Sequence, residues 1–270
     1  MVSNHPAPRR VVTTTDARPS LAALMPREHG SWALALEPMV LALLAAPSWH
    51  GVSLAVAALA LFLMRRPSQV VRTGRDPLLV RQAWIVLGVL GSSALMLASV
   101  AVAAHATRVA VPLAIAALTG ITFAWLDSRR KARGVVAELA GACCFAALAS
   151  AAVVCSGESP FGARSLVVGG FSLARATTSI LALRVFLRRR KGDEVSAVGA
   201  LTSAVAFSLV AVASVRALES WILVAWCLAF LLRTTWLLGP RPPGWPARRL
   251  GMMELALGLA AMISTGIALQ

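Results

Sequence analysis

A small set of ionisable residues lies inside or at the start of long apolar stretches of the sequence. They are Glu28, His29, Glu37, Glu138, Arg175 and Glu254. Charged side chains at membrane depth are rare, and they mark solute or ion pathways, proton relays or ion pairs. A carboxylate binds protons or cations, an arginine binds anions or compensates carboxylates, and a histidine titrates near neutral pH. We therefore predict that these residues, with Trp32 beside the first three, bind a substrate.

The overall composition is that of a membrane protein. Hydrophobic residues make up 58% of the chain and charged residues 14%, and the mean hydropathy is +0.76. An ordinary soluble domain carries roughly 25% charged residues. The net charge of +15 could suggest nucleic-acid binding, but the basic residues form short clusters between apolar runs. No nucleic-acid motif is present, so no nucleic-acid partner is predicted.

Nine apolar stretches approach the ~20 residues that a helix needs to cross ~30 Å of hydrocarbon. They cover 31–48, 50–64, 83–104, 109–126, 135–155, 163–187, 195–215, 218–238 and 250–269. We predict an all-α membrane helix bundle of about nine transmembrane helices, forming a single domain over residues 26–270. Residues 1–25, rich in Thr, Pro and Arg, are predicted to be a disordered basic cytoplasmic tail.

The basic residues alternate between the two sides of these stretches. All but four of the 26 lysines and arginines lie in the amino-terminal segment, or near and after the ends of the even-numbered spans. The exceptions are Arg108, Arg164, Arg175 and Arg216. The positive-inside rule then places the amino terminus inside and the carboxyl terminus outside. We predict a multi-pass protein of the cytoplasmic membrane, with the lipid bilayer and anionic headgroups at the basic loops as partners.

The depths of the ionisable residues along their helices predict where they meet. By helical rise, Glu37 lies ~10 Å and Glu138 ~6 Å from the inner ends of their spans, and Arg175 lies ~20 Å deep. Gly169, Ser172, Arg175 and Ser179 share one face of their helix. One interpretation is a polar cavity open to the cytoplasm, in which Glu37, Glu138 and Glu254 surround Arg175 and His29 acts as a titratable gate.

A simpler interpretation treats most of these charges separately. Arg184 and Arg233 would extend to the inner surface, while Glu138 and Glu254 would lie at helix starts, where the dipole favours a carboxylate. Only Glu37 and Arg175 would then need a partner. The sequence contains no Walker loop, dinucleotide fingerprint, HExxH or nucleophile elbow. The four cysteines lack metal-type spacing, so no cofactor and no metal site are predicted.

Several segments resemble the YwiC-like family of membrane proteins. PREHGSWALALEP is similar to its opening signature, in which a [QE]-H-G-[AS]-W run enters the first helix. Glu28, His29, Gly30 and Trp32 match this signature, and Gly251 with Glu254 match a final G-x-x-E element; the family usually has apolar residues at position 37. RRPSQVVRTGRD, RVFLRRRKGDE and RRLGMMEL resemble its basic loops and last helix, so the resemblance spans most of residues 26–265. The resemblance implies a multi-pass membrane fold and marks the motif residues as candidate site residues, but it implies no activity.

Three classes of function fit the sequence. The first is a non-enzymatic protein that binds or transports a small solute or ion. The second is a lipid-modifying enzyme with a lipidic substrate, resembling the intramembrane prenyltransferases, which bind Mg²⁺ through two aspartate-rich motifs. The corresponding loops here offer only Asp76 and the pair Asp193 and Glu194. The third is a structural or assembly factor of the membrane.

Overall fold

The structure is a computed structural model that describes residues 21–26, 29–132, 134–218, 220–239 and 244–270. Helix accounts for 84% of these residues, and no strand is present among them. Five of the described helices are long and apolar enough to cross a membrane. The chain is therefore an all-α, multi-pass membrane protein.

Eight α-helices follow a short 3₁₀-helix, Leu21–Leu24, in the described ranges. They are α1 His29–Ala45, α2 Trp49–Thr73, α3 Pro77–Ser128, α4 Val135–Val154, α5 Ala163–Arg189, α6 Val198–Leu218, α7 Ile222–Leu238 and α8 Ala247–Ala268. The 3₁₀-helix includes part of the predicted tail, and its Leu24 packs against Val70 and Ala83. Residues 1–20 of that tail lie outside the described ranges.

Helix α2 is longer than its apolar stretch predicts. Ser48 caps its start by accepting a hydrogen bond from the Gly51 amide at 3.0 Å. The helix then continues past residue 64, so Arg65 and Arg72, predicted in a loop, lie on helix instead. Hydrophobicity alone did not mark the helix end, because these arginines have partners on α3. Both interact with Asp127, Arg65 at 3.7 Å and Arg72 at 2.6 Å.

Helix α3 reverses direction at His105 and contains two of the predicted spans. Its 52 residues would extend roughly 78 Å as one straight helix, more than twice the hydrocarbon thickness. His105 has non-helical backbone angles, φ −138° and ψ 24°. Residues near both ends of α3, Ala83 and Asp127, contact the last turns of α2. The two halves of α3 are therefore antiparallel, and the predicted loop at 105–108 is a sharp break without a separate loop.

The first and last helices lie side by side and run in the same direction. The side chain of Glu37 on α1 lies against Gly258 on α8, and Leu44 lies against Gly266 about two turns further along. Helices α4 and α5 are antiparallel, as the contact between Glu138 at the start of α4 and Arg184 near the end of α5 shows. The chain thus closes on itself, with α1 in contact with α4, α5 and α8.

The two ends of the bundle differ in charge. We call the end at which α1 and α8 begin the basic end. Arg190 there donates to the carbonyl oxygen of Trp245, just before α8, and Arg189 donates to that of Leu238 at 3.1 Å. At the opposite end, Gln270 donates to the carbonyl oxygen of Leu44 at 2.9 Å.

Candidate functional site: a buried charge cluster

Four charged residues from four different helices meet in the interior of the bundle. They are Glu37 on α1, Arg175 on α5, Arg233 on α7 and Glu254 on α8, and we call them the charge cluster. Their exposed fractions are 3%, 3%, 7% and 5%. Such burial of ionised groups is tolerated only when they compensate one another, and two arginines with two glutamates give a net charge of zero.

Arg175 lies at the centre of the charge cluster, and each of its three nitrogens has a polar neighbour. Its Nε forms an ion pair with Oε2 of Glu37 at 3.1 Å. Its Nη1 donates to the hydroxyl of Ser179 at 3.2 Å, and its Nη2 donates to the backbone oxygen of Glu254 at 2.8 Å. The guanidinium carbon also lies 5.3 Å from the ring centroid of Phe230, within cation–π range. Arg175 therefore links α1, α7 and α8 to α5.

Arg233 and Glu254 form the second ion pair of the charge cluster. Arg233 Nε donates to Oε1 of Glu254 at 2.5 Å, and its Nη2 pairs with the same oxygen. The other oxygen of Glu254, Oε2, accepts a hydrogen bond from Ser179 at 3.1 Å. Both oxygens of this carboxylate are thus engaged. Ser179 joins the two ion pairs, since it accepts from Arg175 and donates to Glu254.

Four polar atoms of the charge cluster are buried without a hydrogen-bond partner among the described residues. Two of them, Nε of Arg175 and Nη2 of Arg233, still lie in ion-pair contact with a carboxylate. The other two are Oε1 of Glu37, an acceptor, and Nη1 of Arg233, a donor. Buried polar atoms in native proteins are nearly always hydrogen-bonded, to protein or to ordered water. The charge cluster can therefore accept a hydrogen bond at Glu37 and donate one at Arg233, and a small polar ligand or water can form these bonds.

Gly258 makes room for the first ion pair. A Cβ atom built at this position would overlap Oε1 of Glu37 and Nη2 of Arg175. Nη2 of Arg175 is held by the backbone oxygen of Glu254, and the Glu37 carboxylate is held by its ion pair through Oε2, so neither atom can move aside cheaply. Only glycine allows α8 to approach α1 and α5 closely enough for the Glu37–Arg175 pair to form. Gly251, one to two turns earlier on α8, has nothing within 4 Å of its Cβ position.

The structure brings together only part of the set that the sequence predicted around Arg175. Glu37 and Glu254 contact it directly, but Glu138 does not join them. Glu138 pairs with Arg184 at 2.8 Å, and the two side chains are 32% and 28% exposed. The reason is the antiparallel packing of α4 on α5, which places the start of α4 beside the end of α5, ~14 Å from Arg175 by helical rise.

Arg233 lies in a different environment from the one predicted from the sequence. Its position near the end of α7 suggested a side chain extending to the inner surface. In the structure it turns inward and is 7% exposed, because Glu254 on α8 faces it. Depth along a helix gave no information about which side of α7 the guanidinium occupies. Arg233 lies on the buried face of α7, where Phe230 is 1% and Thr234 0% exposed, whereas Leu232 is 69% exposed.

The opening motif is described only in part. Glu28 lies outside the described residues, and α1 begins at His29, whose side chain is also outside them. Trp32 packs edge-on against Phe62 of α2, with ring centroids 5.1 Å apart. The gating role of His29 and the substrate-binding roles of Glu28 and Trp32 remain predictions.

A second polar contact, which was not predicted from the sequence, joins α2 to the end of α3. Asp127 is 9% exposed and accepts hydrogen bonds from Arg72 at 2.6 Å and Gln69 at 3.0 Å. Arg65 lies over the ring of Phe123, 5.2 Å from its centroid. These contacts fix the second half of α3 against α2 and explain why α2 continues into the basic segment.

Two cavities open elsewhere on the molecule. One of about 680 Å³ lies at the opposite end and is lined by Ala45, Ala46, Pro47, Ser156, Gly157, Glu158, Arg164 and Gln270. Another of about 540 Å³ lies at the loop from Arg189 to Ser196. Neither borders the charge cluster, and the cytoplasm-facing cavity remains a prediction. No group of three or more His, Cys, Asp or Glu residues with metal-binding geometry occurs in the part of the chain that the structure describes.

Comparison with known proteins tests the resemblance seen in the sequence. A family model described as "YwiC-like protein" matches residues 25–153. This part of the chain is therefore similar to the YwiC-like family. The match contains the EHGSW motif, Glu37 and the basic segment of α2, and it ends with α4.

The YwiC-like match is shorter than the resemblance over residues 26–265 that the sequence motifs indicated. The basic loop after α5 and the RRLGMMEL element of α8 lie beyond residue 153. Arg175, Arg233 and Glu254 are therefore outside the matched region, while Glu37 is inside it. No curated protein and no solved structure matches the chain.

Proposed function

We propose that this YwiC-like protein binds a small solute or ion at the charge cluster and moves it across the cytoplasmic membrane. The observation that carries the proposal is the pair of unpartnered atoms, Glu37 Oε1 and Arg233 Nη1, in a fully buried group of four charges. Ion pairs with a purely structural role gain most when every hydrogen bond is made. A donor and an acceptor that lack hydrogen-bond partners at this depth in the membrane instead support a ligand-binding site.

Access from the cytoplasm is the second part of the proposal. By helical rise, Glu37 lies ~12 Å from the start of α1, Glu254 ~10 Å from the start of α8, and Arg233 ~8 Å from the end of α7. All three distances are measured from the basic end. The charge cluster is thus nearer to that end, which the positive-inside rule assigns to the cytoplasm.

We further propose nine transmembrane segments, with the amino terminus inside and the carboxyl terminus outside. The reversal of α3 at His105 supports the count, because it divides this one long helix into two antiparallel segments. The basic end also carries exposed arginines, such as Arg188, whose side chain is 62% exposed. We expect these arginines to contact anionic lipid headgroups, at roughly 1 kcal/mol per basic residue near the surface.

The contacts of the structure do not favour a prenyltransferase-like enzyme. Asp76 caps α3 by accepting a hydrogen bond from the Leu78 amide at 2.9 Å. Asp193 pairs with Arg188 at 3.2 Å, with side chains 49% and 62% exposed. These carboxylates lie on loops and serve local structure, so nothing in the described part of the chain supports this alternative.

Ligand-dependent stability tests the proposed function. The purified protein in detergent is heated with a panel of small anions, small cations, zwitterions, quinones and isoprenoid diphosphates. A ligand at 100 times its Kd stabilises the folded state by ~2.7 kcal/mol, which raises the melting temperature measurably. We expect at least one small solute to do so, and we expect Arg233→Lys, which removes the free Nη1 donor, to abolish the shift.

Glu158→Gln is the matched control for this experiment. Glu158 also pairs with an arginine, Arg164 at 2.9 Å, but at the opposite end and with about a third of each side chain exposed. The shift should persist in this variant. A shift that Arg233→Lys leaves intact would place binding elsewhere, and a panel with no shift at all would contradict the proposed function.

A further inference from the structure

We infer that the charge cluster takes up a small monoanion together with one proton, the anion at Arg233 and the proton at Glu37. This inference rests on the proposed function, because it names the class of solute that the same site binds. Three observations carry it: the zero net charge of the charge cluster, the free donor of Arg233 and the free acceptor of Glu37.

Charge balance requires the two ligands to bind together. With two arginines and two glutamates, the charge cluster is neutral while empty. A lone anion or a lone proton would leave one unit of charge uncompensated among side chains that are only 3–7% exposed. Water cannot solvate that charge there, so the free energy of desolvation is not offset. An anion and a proton together restore neutrality. The site therefore favours joint occupancy over either partial state.

Arg233 is the group on which the anion binds. Arg175 already has a polar neighbour for each of its nitrogens, from Glu37, Ser179 and the backbone of Glu254. Arg233 directs Nε and Nη2 to Glu254 and keeps Nη1 without a hydrogen-bond partner. A buried guanidinium N–H that donates to an anion makes a strong, charge-assisted hydrogen bond. Chemically, the class is a small monoanion with an accessible acceptor oxygen or a halide.

Glu37 is the carboxylate that takes the proton. Protonation of Glu254 would weaken its contacts with Arg233 and Ser179, whereas Oε1 of Glu37 has no hydrogen bond to lose. A new O–H bond forms at Oε1 with a proton from a hydronium ion of the solvent, whose O–H bond breaks to leave water, and the Glu37 carboxyl loses the charge that it presents to Arg175 through Oε2. The bound anion then compensates the positive charge that this leaves among the two arginines.

The charged surroundings of Glu37 come from few elements. Arg175 on α5 pairs with it, and Glu254 on α8 lies close enough to repel it. The charged side chains of α2 and α4, which also pack on α1, have other partners: Glu138 pairs with Arg184, and Arg72 with Asp127. Arg65 also lies near Asp127. Among the described residues, the charged groups that act on Glu37 are therefore Arg175 and Glu254, together with whatever binds Arg233.

Proton-linked anion binding tests the inference in the intact protein. Formate, nitrate and chloride are titrated calorimetrically into the detergent-solubilised full chain, in two buffers of different protonation enthalpy. We expect uptake of about one proton per anion. By linkage, the apparent Kd should then rise about tenfold per pH unit on the alkaline side of the Glu37 titration.

Glu37→Gln gives the sharpest signature, because glutamine has the shape and the neutral charge of the protonated carboxyl. This variant should still bind the anion, with no proton uptake and with a Kd independent of pH. Arg233→Gln should lose anion binding, and Glu158→Gln should behave like the wild type. If Arg233→Gln does not fold, Glu37→Gln decides the question alone, since it leaves the anion site intact.

The outcomes separate this inference from the proposed function. Anion binding without proton uptake in the wild type, or proton uptake that survives in Glu37→Gln, overturns the inference. A neutral or cationic solute that binds, and is lost in Arg233→Lys, also overturns it but keeps the proposed function. Absence of any ligand at the charge cluster overturns both.

Discussion

Replacement of Arg175 by leucine is the most direct perturbation of the charge cluster. Leucine removes the guanidinium that pairs with Glu37 at 3.1 Å and donates to the backbone oxygen of Glu254 at 2.8 Å. Glu37 is then left as a buried carboxylate with no partner among the described residues, since its Oε1 is already unpartnered. We expect Arg175→Leu to be strongly destabilising for this reason.

The size of the effect follows from these contacts. Removing one partner of a buried ion pair typically costs ~3–5 kcal/mol, because the other charge remains buried. Adding Glu37→Gln to Arg175→Leu removes that charge. The double variant then keeps only the cost of the unpaired polar groups, roughly 1–3 kcal/mol. Neutralising Glu37 should therefore rescue about half of the loss or more.

The measurement is the free energy of unfolding in detergent micelles for the wild type, both single variants and the double variant. Arg188→Leu, on the same helix, is the control. Its pair with Asp193 at 3.2 Å is largely exposed and should contribute less than ~1 kcal/mol. An Arg175→Leu protein as stable as the wild type would refute the reasoning, because it would mean that no buried ion pair depends on Arg175.

Three further predictions test other parts of the structure. Gly258→Ala should destabilise the protein by ~1–3 kcal/mol, because the new Cβ atom would displace the Glu37–Arg175 pair. Gly251→Ala is the control and should not destabilise it, because there is open space around this position. Equal melting temperatures of the two variants would contradict this prediction. A reporter active only outside the cytoplasm should be active when fused after Gln270 and silent when inserted after Gly74, and the reverse pattern would overturn the proposed topology. Asp127→Asn should weaken the contacts between α2 and the end of α3, and should therefore lower the melting temperature and make this region easier to cleave by protease. A melting temperature and a cleavage pattern identical to those of the wild type would argue against this role of Asp127.

The sequence predicted the helices well, because hydrophobic length is a property of each segment by itself. The predicted stretches 135–155 and 163–187 correspond to Val135–Val154 and Ala163–Arg189. The end of α2 could not be predicted in this way. Its last turns depend on Asp127, which is distant in sequence and compensates Arg72 and Arg65.

The charge cluster was predictable only in part, for a geometric reason. Position in the sequence gives the depth of a charge along its helix, and this correctly grouped Glu37, Arg175 and Glu254. It does not give the direction of each side chain relative to its neighbours, and this direction separates Arg233, which is buried, from Arg184, which is partly exposed. The role of Gly258 depends on how closely α8 approaches α1, which no pattern within α8 encodes.

The contact between the first and last helices has a consequence for synthesis of the protein. Glu37 leaves the ribosome with α1, but Arg175, Arg233 and Gly258 are on α5, α7 and α8. During most of translation, the newly inserted α1 therefore carries a carboxylate that has not yet met its counter-ion. The nascent chain must keep this carboxylate neutral or near the membrane surface until α5 is made. The order of synthesis thus makes the charge cluster one of the last parts of the molecule to assemble.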